Sequence, residues 1–255
     1  MAQSFERVTL TAHDAVAVLA FNQPEVMNAV SPGMIAGAMA ALDTIESEKH
    51  FRALILTGTG KAFSAGANLS EAGDLDAGAM LERVYHPFLA RLRGLSMPIV
   101  TAVNGPAVGI GMSIALHGDL ILAAASAYFL QGFVRIGLVP DGGSSFLLPR
   151  LVGLARAREL ALLAEALPAQ KALDWGLINA VVPDDRLMHD ALALAQRLAQ
   201  GPASLALTRK LFWAGDYEAQ WQREQEAQQS AAQTDDFREG LAAFAQKRPP
   251  HFTGK

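Results

Sequence analysis

Through the first half of the chain, short apolar runs alternate with longer stretches of helical character. VAVLAF (Val16–Phe21) and ALILT (Ala53–Thr57) have the alternation and β-branching of strands, and IVTAV (Ile99–Val103) and LILAA (Leu120–Ala124) read the same way. Between them, MIAGAMAALDTIES from Met34 and MLERVYHPFLARLRGL from Met80 read as helices, the second interrupted by Pro87. Strands and helices in alternation predict an α/β class. Beyond Gly153 the strand signal nearly vanishes. Alanine-rich, charged segments take over: ARARELALLAEAL, MHDALALAQRLAQ, ASLALTRKLFWA, AQWQREQEAQQSAAQ and FREGLAAFAQKR. This pattern predicts a core over residues 1–195 and a helical region over 196–255, packed either on a neighbouring subunit or over its own core. No fixed-period repeat or low-complexity linker interrupts it.

Composition narrows the picture. Of 255 residues, 51% are hydrophobic and 18% charged, enough for a sizeable core and too apolar for disorder. A formal net charge of -4 gives no reason to expect nucleic acid or an anionic membrane as partner. Cysteine is absent, so disulfides, thiolate metal sites and a cysteine nucleophile are excluded. The start, MAQSFERVTLTAHD, lacks a basic flank followed by an apolar stretch, and runs such as Leu120–Ala125 fall short of the ~20 residues of a membrane helix. The expectation is a soluble, cytoplasmic protein.

Candidate chemistry lies in three turns. In LTGTGKAFSAGANLS (Leu56–Ser70), small residues Ala65, Gly66 and Ala67 follow a strand, which lets a ligand approach backbone N–H donors. In AVNGPAVGIGMSIALHGD (Ala102–Asp119), Gly109-Ile110-Gly111 opens a helix whose first N–H groups lack partners. Neither turn is a phosphate loop of the G-x-x-x-x-G-K-[ST] or GxGxxG type. In RIGLVPDGGSS (Arg135–Ser145), Asp141 stands between a proline and two glycines ahead of FLLPRL, which reads as the start of a helix. By local chemistry Asp141 is a turn or capping residue, or else an acid/base. His13, His50, His117, His189 and His251 show no ligand-like spacing.

FNQPEVMNAV, KAFSAGANLS, AVNGPAVGIGMSIA, IGLVPDGGSSFLLPRLVG and DFREGLAAFAQKRPPHFTGK, in this order, resemble the crotonase (enoyl-CoA hydratase/isomerase) superfamily from about residue 5 onward. VPDGG and REGLAAFAQKRPPHFTGK most resemble its enoyl-CoA and epoxyphenylacetyl-CoA isomerase branch. The resemblance implies a spiral of ββα units, a helical C-terminal trimerisation region, and homotrimers often paired into hexamers. It implies an acyl-CoA thioester substrate, with no cofactor beyond the coenzyme A that the substrate carries. The thioester oxygen is expected between the N–H groups of Ala67 and Ile110. Ile110 stands where the family usually has glycine, with Gly109 and Gly111 beside it to absorb the constraint.

The family's hydratases use two glutamates, and the matching positions here are Ser113 and Phe133. Neither supplies a carboxylate: Ser113 is left to hydrogen-bond a ligand or water, Phe133 to shape and dry the pocket. Hydration is therefore disfavoured, and Asp141, matching the isomerase acid/base, is expected to shift the double bond of an enoyl-CoA or a ring-derived acyl-CoA through an enolate. His86 matches a histidine of the family's dehalogenases, which leaves a hydrolase using Asp141 and His86 as an alternative, beside a plain helix-surface or pocket-wall place for His86. A non-catalytic acyl-CoA-binding subunit is a further alternative. Lys61 is a candidate for a CoA phosphate or else a solvated surface lysine, while Val26, Ala65 and Leu69 are candidates to line adenine and pantetheine. Lys247 and Arg248 are weaker candidates for CoA contact.

Overall fold

The structure, a computed structural model, describes residues 2–71, 77–213 and 234–255. The main sheet has seven strands in the order β1 (Ala2–Phe5), β2 (Val8–His13), β3 (Val16–Phe21), β4 (Ala53–Gly58), β5 (Ile99–Val103), β7 (Leu120–Ala124) and β10 (Ala180–Val182). The first three pair antiparallel, and β3, β4, β5, β7 and β10 run parallel. Every residue of β3 and β5 is buried, which is why these strands read as continuous apolar runs. The helices Pro32–Ser47 and Leu187–Ala199 cover the sheet. The first starts cleanly because the Ser31 hydroxyl accepts from the Met34 N–H and Pro32 needs no donor at that position.

A second, three-stranded sheet joins β6 (Ala107–Val108), β8 (Tyr128–Leu130) and β9 (Leu167–Pro168). Ser64 bridges to its edge: the Ser64 N–H donates to Pro106 O at 3.0 Å, and the Val108 N–H donates to Ser64 O at 3.0 Å. That bridge ties the chain leaving β4 to the chain leaving β5. Asn28 and Asn104 reinforce it: each side-chain amide donates to Ala62 O, and they also reach Thr59 O and Gly60 O respectively.

The four strands expected from the sequence are present, and the α/β class holds. β1, β2, β6, β8, β9 and β10 add to them; the last four, at two or three residues each, are too short to show any periodicity. The expected boundary at 195/196 falls inside the helix Leu187–Ala199, whose Ala191, Ala195 and Ala199 all pack inward, so the core extends past it. The segment AQWQREQEAQQSAAQ lies outside the described residues. The helix Ser204–Phe212 folds over its own core. From it Arg209 donates to Asp119 Oδ2 at 2.6 Å and to the carbonyls of Leu92, Arg93 and Leu95, capping the helix His86–Gly94. Further on, Asp236 accepts from the N–H groups of Ala203, Thr253 and Gly254, which ties the helix Asp235–Gln246 to the same region. No helix among the described residues is long and apolar enough to cross a membrane.

Arg209→Leu is expected to leave Asp119 half-buried without its ion and three carbonyls uncapped. Losing one partner of a buried ion pair costs about 3–5 kcal/mol, and at this chain length that lowers the melting temperature by about 6–15 °C. Thermal unfolding at matched protein concentration measures it; a shift below about 2 °C would mean that the helix does not depend on this anchor.

Candidate active site

Three turns converge on a cavity of about 290 Å³, and each has a local cause. Gly66 adopts φ +100°, and a Cβ there would lie 3.1 Å from Val108 O, so only glycine lets the first two turns approach this closely. Val30 bonds to both neighbours of Ala67: its N–H donates to Gly66 O and its C=O accepts from the Asn68 N–H. In such a parallel bridge the N–H of Ala67 itself points the other way. Ile110 begins the helix Ile110–Ala115, where a first-turn N–H has no intrahelical acceptor. Neither N–H has an acceptor among the described residues, and both residues line the cavity.

The constraint expected at Ile110 is carried by its neighbour. Gly109 takes φ 52°, ψ -124°, a region closed to other residues, while Ile110 is helical and buried. Gly111 is glycine because a Cβ there would lie 2.7 Å from Ser64.

In the third turn, the Asp141 carbonyl accepts from Ser113 Oγ at 2.9 Å, from Ser144 Oγ at 2.8 Å and from the Ser144 N–H at 3.0 Å. Gly142 and Gly143 follow with φ +56° and +80°. A Cβ on Gly142 would come within 2.8 Å of both Ile110 Cδ1 and Ser113 Cβ, and 3.3 Å from Leu89 Cδ1. The clamp and the two glycines turn the chain so that Asp141 lines the cavity. Its Oδ1 is buried with no hydrogen-bond partner. Burial pushes the carboxyl up to about 7, because no donor offsets the lost hydration of the charged form.

Six of the sequence candidates meet around this cavity: Ala65, Ala67, Gly109, Ile110, Phe133 and Asp141. Phe133 is buried in the turn Gly132–Ile136 and packs over Gly109 as an apolar wall of the cavity. Ser113 corrects the expectation of a ligand contact: fully buried, its hydroxyl is spent on the carbonyls of Asp141 and Gly109, so it holds the catalytic candidate from behind. His86 is exposed and outside the cavity lining, on the helix surface rather than at the pocket wall. The reason is a π-helical turn at Leu81–Tyr85, closed by the His86 N–H donating to Leu81 O. The residue it buries is Tyr85, and His86 opens the following helix with Pro87 in its first turn. Lys61 and Val26 are exposed and line no part of the cavity. Leu69 opens the turn Leu69–Glu71, and its side chain lies outside the described residues. Arg248 is committed to Glu239, with contacts of 2.6 and 2.9 Å, and Lys247 is exposed beside it.

Sequence reasoning missed Tyr85, whose hydroxyl is pushed up to about 12 by burial and then by the charge of Asp141. The signal was Pro87, which marks a helix starting at His86 rather than one running through it. It also missed His117 as a support. Its Nδ1 lies 2.9 Å from Ser113 O, a contact that requires the Nδ1–H tautomer, and its ring stacks on Trp213. Burial lowers its pKa to about 4, so it is neutral across the working range.

Two sheets stitched at Ser64 thus bring N–H groups with no acceptor among the described residues, and a half-buried carboxyl, to one cavity. The family model for enoyl-CoA hydratase/isomerase matches residues 11–255, and the chain belongs to that family. It is 42% identical to a Rhodobacter capsulatus protein described as a probable enoyl-CoA hydratase, over 99% of this chain and 100% of that one. It is 40% identical to the 1,2-epoxyphenylacetyl-CoA isomerase of Escherichia coli, over 94% and 95%. The crystal structure of an enoyl-CoA hydratase subunit from Geobacillus kaustophilus superposes with a TM-score of 0.92 at 32% identity, covering 99% of this chain and 100% of that chain.

The raised carboxyl carries a stability consequence. Folded Asp141 holds its proton up to about pH 7, against 3.8 for the ordinary side chain, so its contribution is fully favourable below 3.8 and is lost as pH rises through 7. Asp141→Asn is expected to raise stability by about 1–3 kcal/mol at pH 8, with a smaller gain at pH 5. Melting curves at the two pH values measure it; an equal shift at both would mean that the carboxyl is not buried as described.

Proposed function

We propose that this chain is an enoyl-CoA isomerase that moves the double bond of an enoyl thioester with Asp141 as its single acid/base. The observation that carries the reading is that Asp141 is the one carboxylate lining the cavity among the described residues, half-buried and with one buried, unpartnered oxygen. The two relatives' names differ in the reaction, and a lone carboxylate favours isomerisation. Hydration needs a group to activate water, and Ser113 and Phe133 offer none.

With a 3-enoyl thioester, the Asp141 carboxylate takes a proton from the carbon between the carbonyl and the double bond. The electron pair moves onto the thioester oxygen, which the Ala67 and Ile110 N–H groups receive as a dienolate. The neutral Asp141 then delivers the proton to the far carbon of the former double bond, giving the 2-enoyl thioester. Water is neither consumed nor released, no electrons leave the substrate, and no cofactor is required beyond the CoA moiety itself. Phe133, Ile136 and Leu138 keep the cavity apolar, which sustains the raised carboxyl. The exposed position of His86 gives the hydrolase alternative no support.

Exposed apolar residues support self-association. Ile136, Val139, Leu154, Leu162 and Leu163 each leave more than half of their surface open, apolar area that a neighbouring copy would cover. The reading is a homotrimer, alone or paired into a hexamer. Light scattering after size exclusion is expected to give three or six chain masses for the natural protein and a smaller species for Val139→Asp/Leu162→Asp; a monomeric natural protein would overturn it.

For activity, 3-enoyl-CoA and 2-enoyl-CoA are offered separately in D2O, and double-bond position, hydroxyacyl product and free CoA are followed. The expected outcome is interconversion without hydroxyacyl-CoA or free CoA, a rate that rises with pH and levels off above about 7 as Asp141 ionises, and a loss of about 10²–10⁴-fold in Asp141→Asn. Hydroxyacyl-CoA as the main product would restore the hydratase reading. CoA binding with no turnover would indicate a silent subunit.

A further inference from the structure

Two polar groups beside the cavity have no partner. One is Asp141 Oδ1, buried and unbonded. The other is the hydroxyl of Tyr85, which makes no hydrogen bond among the described residues although the side chain is only 4% exposed. The helix places them near each other. Leu89 reaches within 3.3 Å of the Cβ site of Gly142, the residue after Asp141, and Tyr85 lies one turn earlier on the same face. The π turn at Leu81–Tyr85 puts this residue, rather than His86, on the buried side, and such turns collect at functional sites.

Other donors near the carboxylate are already engaged. The hydroxyls of Ser113 and Ser144 are spent on the Asp141 carbonyl. Arg135, which also lines the cavity, donates to Ala164 O. His117, behind Gly143, points its Nδ1 at Ser113 O and stays uncharged. His86 is exposed.

We propose that Tyr85 is a positioning residue for the proton-shuttling carboxylate, its phenolic O–H closing on Asp141 Oδ1 when that carboxylate ionises. The proposal rests on the isomerase reading for its purpose, and on the two orphaned groups for its geometry. Tyr85 keeps its proton to about pH 12, so it is a donor at every pH at which Asp141 is an acceptor. The bond holds one carboxylate oxygen and leaves the other toward the substrate carbon. It also supplies the ionised state with a donor, keeping the carboxyl from staying neutral far above pH 7. In ligand-free sites such contacts are commonly longer than in the working complex.

The test is Tyr85→Phe, alone and combined with Asp141→Asn, read by melting temperature at pH 5.5 and 8.5 and by the pH profile of kcat. The expected result is a loss of about 3 °C or more at pH 8.5, little loss at pH 5.5, and none attributable to the hydroxyl in the Asp141→Asn background. With it, the acid limb of kcat is expected to move up by about one pH unit, with KM little changed. An equal loss at both pH values and in both backgrounds, with an unmoved profile, would make Tyr85 a packing residue only and overturn the proposal. The melting readout does not depend on the reaction. A pH-dependent coupling with isomerisation intact in Asp141→Asn would refute the shuttle and keep the bond. No coupling, with isomerisation abolished in Asp141→Asn, would refute the bond and keep the shuttle.

Discussion

An aspartate carboxyl with one oxygen buried away from water and left without a donor is the constraint around which this site is arranged. A carboxylate in that position is costly, and a protein tolerates it only where the neighbouring backbone leaves it no other place. Here the hydroxyls of Ser113 and Ser144 hold the carbonyl of Asp141, and Gly142 and Gly143 take left-handed conformations that continue the chain into the helix Ser144–Val152. The apolar cavity walls preserve the effect by keeping water from rehydrating the charge. A group with a carboxyl near 7 can take a proton and return it at neutral pH, which a solvated aspartate does poorly.

The same crowding explains why residue 113 is small. With the Cβ site of Gly142 2.8 Å from Ser113 Cβ, a longer side chain at 113 would have to pass through the turn that carries Asp141. A large acidic residue at 113 and this Pro-Asp-Gly-Gly turn compete for one volume. Backbone donors escape that competition. Ala67 and Ile110 present N–H groups whose direction is set by Gly66, Gly109 and the Ser64 bridge, so their side chains are free to vary. Ile110 packs against Gly142, coupling its own turn to the one that carries Asp141.

The sequence made the central strands legible because they are buried on both faces and read as unbroken apolar runs. The glycine turns were legible because close approach and positive φ leave few other choices. Short strands such as β10 left no period to read, and the boundary drawn at 195 lies inside a helix because an alanine-rich helix looks alike whether it covers a sheet or extends beyond one. Of the candidate site, the residues read from turn chemistry, Ala67, Gly109, Ile110 and Asp141, all line the one cavity. The errors came where one residue's offset decides which side chain is buried. A π turn exchanged His86 for Tyr85, and Ser113, placed on the right helix face, had its hydroxyl drawn to a carbonyl that no sequence pattern announces.

The account stands on the ionisation of one side chain, which can be observed without any substrate. With ¹³C-labelled aspartate and Asp141→Asn to assign the resonance, the carboxyl of Asp141 is followed by NMR from pH 4 to 9. The account predicts a midpoint near 7, well above the other aspartates of the chain. A midpoint near the ordinary 3.8 would mean a hydrated carboxylate, and the proton shuttle would lose its physical basis.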